Sequence, residues 1–198
     1  MGFFIVTSYL IAGLSPASLP SPLLPSLEVK QTAFSNPVLF PPKSSEESEL
    51  GDLIERQCRE FPRGIGVPAF QPGISKKDVL QMLGVPTRSS RGYWPNTRAV
   101  SYELIPDQVS LGFLFDKNSE RIRQTEASFT SQVDSHLVVL TLNGMLGCKL
   151  NEEIQQGLQQ VQQRVSRQYF FSLDSLKGVI EWQNGNRLYI GIWEAGLH

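Results

Sequence analysis

From Val100 to Phe129 the chain is written in period two. Val100, Tyr102 and Leu104 alternate with other residues, Pro106-Asp107 marks a turn, and Leu111, Phe113 and Phe115 alternate again. "DKNSE" then turns the chain into "RIRQTEASF". Alternation at this period puts the apolar side chains of a strand on one face. Three such segments joined by short turns predict an antiparallel meander with one buried and one wet face. In the third strand Arg121, Arg123 and Thr125 are expected to share one side.

A sheet with one apolar face needs a cover, and the residues before it supply one. "SSEESELGDLIERQCREF" opens with acidic residues, which suit a helix N-terminus. Leu50, Leu53, Ile54, Gln57, Cys58 and Phe61 fall on one helical face before Pro62 stops the helix. Ser75 is a good N-cap, with Ile74 and Val79 placed as a hydrophobic staple. Val79, Met82 and Leu83 form the stripe of this second, short helix, which Gly84 and Pro86 end. The polar stretch that follows, to Pro95, is expected to be a loop.

The second half repeats the plan. "VDSHLVVLTLNGMLG" begins with the cap-like pair Asp134-Ser135 and is expected to be helical despite its β-branched residues. Asn151 caps a helix striped by Ile154, Leu158, Val161 and Val165. "QYFFSL", "GVIEWQ" and "RLYIGIWE" read as strands, with Asn184-Gly185 a strong hairpin signal. Aligning "FDKNSERI" with "EWQNGNRL" sets Asn118 on Asn184 and Arg121 on Arg187. The expected fold is therefore α+β: tandem α-α-β-β-β units, each an antiparallel meander covered by two helices, over residues 46–130 and 131–198.

Ahead of these units, residues 1–17 are apolar from Phe3 to Leu14 and end in Ser15-Pro16-Ala17, small residues suited to signal-peptidase cleavage. No Lys or Arg precedes Lys30, so the segment reads as a signal peptide, the tail of a longer hydrophobic stretch, or a buried apolar strand or helix of a cytosolic protein. The prolines that follow argue against the last, and the first two lead to the expectation of a mature part outside the cytoplasm, periplasmic or membrane-tethered, with the N-terminal segment bringing it close to a membrane. Residues 18–45 are rich in proline and serine and are expected to form an extended spacer.

The stretch "PGISKKDVLQMLGVPTRSSRGYWP…RAVSYEL…VSLGFLFDKNSERI" resembles the small extracytoplasmic module of the BamE/SmpA outer-membrane-assembly lipoproteins. The likeness lies in a Gly-x-Ser-capped short helix, a Leu-Gly-x-Pro exit and an antiparallel meander. A tandem copy of such a unit is similar to the β-lactamase inhibitor protein fold. The stretch from Pro72 to "LYIGIWEAGLH" also resembles the region after the kinase domain in some cyanobacterial serine/threonine kinases. The kinase motifs themselves are missing, so that resemblance implies a free-standing relative of a sensor or interaction region.

Composition narrows the chemistry. With 18 basic and 19 acidic residues the chain lacks the basic footprint of a nucleic-acid binder. Two cysteines and two histidines are too few for a four-ligand structural zinc site. His136 sits among leucines and valines as packing does, and "GMLG" at 144–147 lacks the Lys-Ser/Thr of a phosphate loop. Glu46, Glu47 and Glu49 read as a solvated helix start, and Asp116 with Asn118 as a turn. No catalytic or metal-binding set is expected, and no cofactor. Cys58 and Cys148 are either a disulfide or two buried thiols; the apolar setting of Cys58 favours thiols.

The candidate contact surface is the loop after the second helix. Arg88, Arg91 and Arg98 flank Tyr93 and Trp94, and Arg121 and Arg123 are expected to extend the patch. Aromatics and arginine are the residue types enriched at binding hot spots. The expected partner is a protein or a cell-envelope component. The competing expectation is that Tyr93 and Trp94 fold back over the sheet and complete its core. The alternative function is a sensory or regulatory region, related to the kinase-associated one, that binds a small ligand.

Overall fold

A computed structural model of the chain describes residues 45–59 and 68–197. The expected leader and the expected spacer, save Ser45 at its end, lie outside the described residues. In chain order the elements are α1 (Ser45–Arg59), α2 (Lys76–Leu83), β1 (Arg88–Arg91), β2 (Thr97–Ile105), β3 (Val109–Asp116), β4 (Ile122–Thr130), α3 (Ser135–Met145), α4 (Glu152–Gln162), β5 (Gln168–Leu173), β6 (Leu176–Gln183) and β7 (Arg187–Glu194). The class is α+β, with all strand pairs antiparallel.

Local signals fix the element ends. Ser75 Oγ accepts from Asp78 N–H, Asp134 from His136 and Leu137 N–H, and Asn151 from Ile154 N–H, so three helices start on side-chain caps. Gly84 ends α2 at φ 74°, a backbone setting that glycine adopts without strain. Asp174, at φ 53°, occupies the tight turn between β5 and β6, whose flanking pair is Leu173 and Leu176.

The strands join in one seven-stranded sheet of order β1-β2-β3-β4-β7-β6-β5. The junction is β4 against β7, from Gln124 opposite Trp193 to Thr130 opposite Arg187. Residues expected to lie in a loop, Arg88–Arg91, form the edge strand β1. Its polar composition hid it; four exposed residues at a sheet edge need no apolar alternation. The expected common side for Arg121, Arg123 and Thr125 does not form. A bulge skips Arg123 between the pairs Phe115–Ile122 and Leu114–Gln124, and Arg121 lies outside β4.

The helices pack on one face of the sheet. Phe113, Phe115, Ile122, Phe129, Ile180, Ile190 and Ile192 from the strands share a core with Val79, Val138, Leu142, Met145, Leu158 and Val161 from the helices. Each such side chain contributes ~1.5–3 kcal/mol. α3 is buried from Val138 through Met145 because it packs against both α1 and the sheet. That explains its lack of a polar stripe.

Burial of α3 demands partners for its polar groups. Gln57 Nε2 donates to the Leu140 carbonyl at 2.8 Å, and Asn143 Nδ2 donates to Gln57 Oε1 at 2.9 Å. Leu150 N–H donates to Asn143 Oδ1, and Cys148 N–H to the Asn143 carbonyl. This network holds the end of α1 against the turn after α3, where Gly147 and Cys148 both have φ 64°. Cys58 and Cys148 therefore meet as a disulfide with Cα atoms 5.7 Å apart, 90 positions apart in sequence. The expectation of two thiols is overturned: an apolar helix face does not preclude a bridge when the opposite cysteine lies on the element it packs against.

Candidate functional site

The second face of the sheet has no helix over it among the described residues. Strand parity assigns it Ala99, Leu114, Gln124, Trp193 and Lys177 in one cross-strand row. The adjacent row is Ser101, Gly112, Glu126, Gly191, Val179 and Phe170. Leu114 and Val179 are buried here without belonging to the helix-packed core. Something on this face excludes water.

Part of the cover is the β1–β2 loop. Gly92 N–H donates to the Thr97 carbonyl, Thr97 Oγ1 donates to the Trp94 carbonyl at 2.6 Å, and Asn96 takes φ 57°. This tight return swings Tyr93 and Trp94 over β3 onto β4. Trp94 Nε1 donates to Gln124 Oε1 at 3.2 Å, and the Tyr93 hydroxyl donates to Glu126 Oε1 at 2.6 Å. Gln124 Nε2 donates to the Tyr93 hydroxyl and, at 2.8 Å, to Glu126 Oε1. Both functions of the Gln124 amide are thus used. The Tyr93 and Trp94 rings are tilted against each other at 5.6 Å.

From β7 the Tyr189 hydroxyl reaches the same carboxyl of Glu126. Two mid-strand glycines make this possible. A Cβ on Gly112 would stand 3.2 Å from Glu126 Oε2, and one on Gly191 would stand 2.8 Å from the Tyr189 hydroxyl. The cross-strand row Gly112–Glu126–Gly191 is a glycine-walled slot in which a carboxyl lies flat on the sheet.

Enclosure raises the Glu126 pKa above the ordinary glutamate value of 4.5; desolvation outweighs the hydrogen bonds from Tyr93, Tyr189 and Gln124, which favour the anion. The Tyr93 and Tyr189 hydroxyls are pushed up in turn, by burial first and then by the Glu126 charge. Tyr93 is 57% exposed as a residue, yet its hydroxyl is desolvated. The ring flank faces solvent while its polar tip is tucked under. The site therefore presents aromatic surface outward and seals its polar groups inward. No nucleophile joins Glu126 among these contacts, and His136 lies on α3 over the opposite face.

The expected arginine patch is dispersed. Arg88 is opposite Ser101 and shares the open face with Glu126's row, whereas Arg91 and Arg98 are opposite each other on the helix-side parity. Arg121 Nη1 donates to the Gly73 carbonyl at 2.7 Å, anchoring the loop before α2. Arg123 pairs with Glu194 and, at 3.8 Å, with Asp116. Asp116 Oδ1 accepts from Asn118 and Ser119 N–H, the turn its sequence implied; those donors hold its carboxyl below the usual range. Of the expected residues, Tyr93 and Trp94 come together. Gln124 and Glu126 escaped the sequence reading. Their signal was available: glycines in the middle of two strands, Leu-Gly-Phe and Ile-Gly-Ile, mark a close approach.

No family model matches this chain, and no curated protein does. Among solved structures, a DUF4309 family protein (YjgB) from Bacillus subtilis matches 73% of this chain and 95% of its own, at 15% identity and a TM-score of 0.38. A likeness at that level carries no argument about fold or activity.

Proposed function

We propose that the chain is a non-enzymatic, extracytoplasmic interaction module that docks a protein or a cell-envelope component on the open face of its sheet. The observation that carries this reading is the sealed Glu126 cluster with Tyr93, Trp94 and Trp193 around it on a face no described helix covers. Rigid aromatics offer contact area at low entropic cost. The Cys58–Cys148 bridge supports an oxidising compartment.

The module is read as two α-α-β-β-β units related about the β4–β7 junction. The sheet order β2-β3-β4-β7-β6-β5 is consistent with that pairing. In each half an aromatic donor caps the exit of the second helix: Tyr102 to the Gly84 carbonyl, Trp182 to the Val161 carbonyl. Arg121 and Arg187, matched in the sequence alignment of the hairpins, each donate to loop carbonyls. The resemblance to the BamE/SmpA module accords with this reading.

A second reading, a sensory region for a small ligand, is favoured by a cavity of about 450 Å³ between the end of β4, α3 and α4, with Ser131, Ser135 and Gln159 among its lining. One experiment separates the two. The disulfide-intact chain captures its partner from the native envelope fraction, and Trp94→Ala abolishes capture while the melting temperature barely moves. Capture that survives Trp94→Ala, or a variant that unfolds, overturns the site assignment. Loss of capture in Gln159→Trp but not in Trp94→Ala favours the cavity instead.

A further inference from the structure

The two edges of the sheet are built differently. β1 is four residues long, Arg-Ser-Ser-Arg, with a charge at each end. Short, charged edge strands resist pairing with another chain. β5 is six residues, Gln168-Tyr-Phe-Phe-Ser-Leu, paired with β6 in unbroken register and carrying no charge, proline or bulge. A long edge of this kind is a template for another strand unless something occupies it.

Its hydrogen-bonding groups can be assigned. Trp182 N–H donates to the Arg167 carbonyl, so Arg167 faces β6. In an antiparallel ladder the backbone groups alternate in direction along the strand. Tyr169, Phe171 and Leu173 therefore also face β6, and Gln168, Phe170 and Ser172 aim their N–H and C=O outward, where the Gln168 carbonyl already accepts from Ser166 Oγ at 2.6 Å. The outward set is symmetric about Phe170, whose side chain is 62% exposed on the open face.

That symmetry selects the occupant. We propose that β5 pairs antiparallel with β5 of a second copy of this chain, about a twofold axis at Phe170. The outward residues then match: Phe170 faces the second copy's Phe170, and Gln168 faces its Ser172. An isologous contact must be complementary to itself, and this strand is. Charge agrees with the direction. Arg167 precedes the strand and Asp174 follows it, so antiparallel pairing sets Arg167 opposite the second copy's Leu173 and one position from its Asp174, whose present partner is Lys149 at 2.8 Å. A parallel arrangement would set like charges side by side. The product is one continuous sheet with both open faces on the same side, which doubles the aromatic surface offered to a partner.

Light scattering on the full chain tests this. The expected mass is that of two chains. Phe170→Lys and Phe170→Pro each return it to one chain, the second by removing an N–H that β6 does not use. Val165→Lys, at another exposed apolar position, leaves the dimer intact. Amide exchange supplies a readout independent of the variants: Phe170 and Ser172 N–H are protected in the dimer, and their protection fades on dilution. A single-chain mass for the wild type at the highest concentration it tolerates overturns the proposal. So does a dimer that both Phe170 variants retain, or fast exchange at Phe170 and Ser172 in the concentrated sample.

Discussion

The two faces of the sheet solve the same problem with different chemistry. On the helix side, Phe113, Phe129, Ile180 and Ile190 are buried by apolar contacts from the helices, and the polar groups the strands bring there include Thr125 and the Tyr102 hydroxyl and Trp182 indole, which donate to helix-exit carbonyls. On the open side, water is kept out by a loop and two tyrosines that converge on one carboxyl. Apolar packing is non-directional and tolerates drift; the Glu126 cluster is directional and depends on Gly112 and Gly191 leaving room. The first face supplies stability, and the second supplies a surface held in one shape.

The comparison breaks first where the first face is weakened. Phe129→Ala, at a side chain with no exposure in the centre of the core, is expected to cost about 3–5 kcal/mol, read as a denaturation midpoint shift. A cost below about 1 kcal/mol would mean that the helix side is not the principal core. Next comes the bridge that fastens α1 to that core. Replacing Cys58 and Cys148 together by alanine is expected to cost about 2–5 kcal/mol, checked by melting with and without reductant. In that double variant the reductant has no further effect.

The smallest effect lies on the open face and is a matter of pH. Glu126 has its pKa raised in the folded state, so the native state holds the proton more tightly than the unfolded chain does. Its favourable contribution is complete below the ordinary glutamate value of 4.5 and is lost as pH rises through the elevated folded value. Wild-type stability is therefore expected to fall across that window. Glu126→Gln, which carries no titrating proton, flattens this part of the profile and is relatively more stable at its upper end. A parallel fall in both proteins would assign the pH dependence to other groups.

Much of the helix side was legible in the sequence, because apolar periodicity and capping residues act locally. Ser75, Asp134 and Asn151 cap the helices their positions suggested, and β7 spans the eight residues read as its strand. Strand parity places Tyr189 and Trp193 on the face opposite Ile190 and Ile192. What could not be read were relations between distant segments. Tyr93 and Glu126 are 33 positions apart and meet only because β3 brings the β1–β2 loop beside β4. The Arg121, Arg123 and Thr125 alignment failed at a single bulged residue, which shifts parity without any mark in composition. β1 was missed because an edge strand with nothing to bury leaves no hydrophobic trace.

The bridge between Cys58 and Cys148 also settles how the fold carries force. α1 is the first described helix, so a tug arriving from the N-terminal side reaches it before any other described element. Without a crosslink such a tug would peel the helix away turn by turn. With one, tension passes through the sulfur atoms into the turn after α3, the most enclosed of the described helices. The segment between the two cysteines, with β1 to β4 in it, lies outside the covalent path of a load that enters at α1.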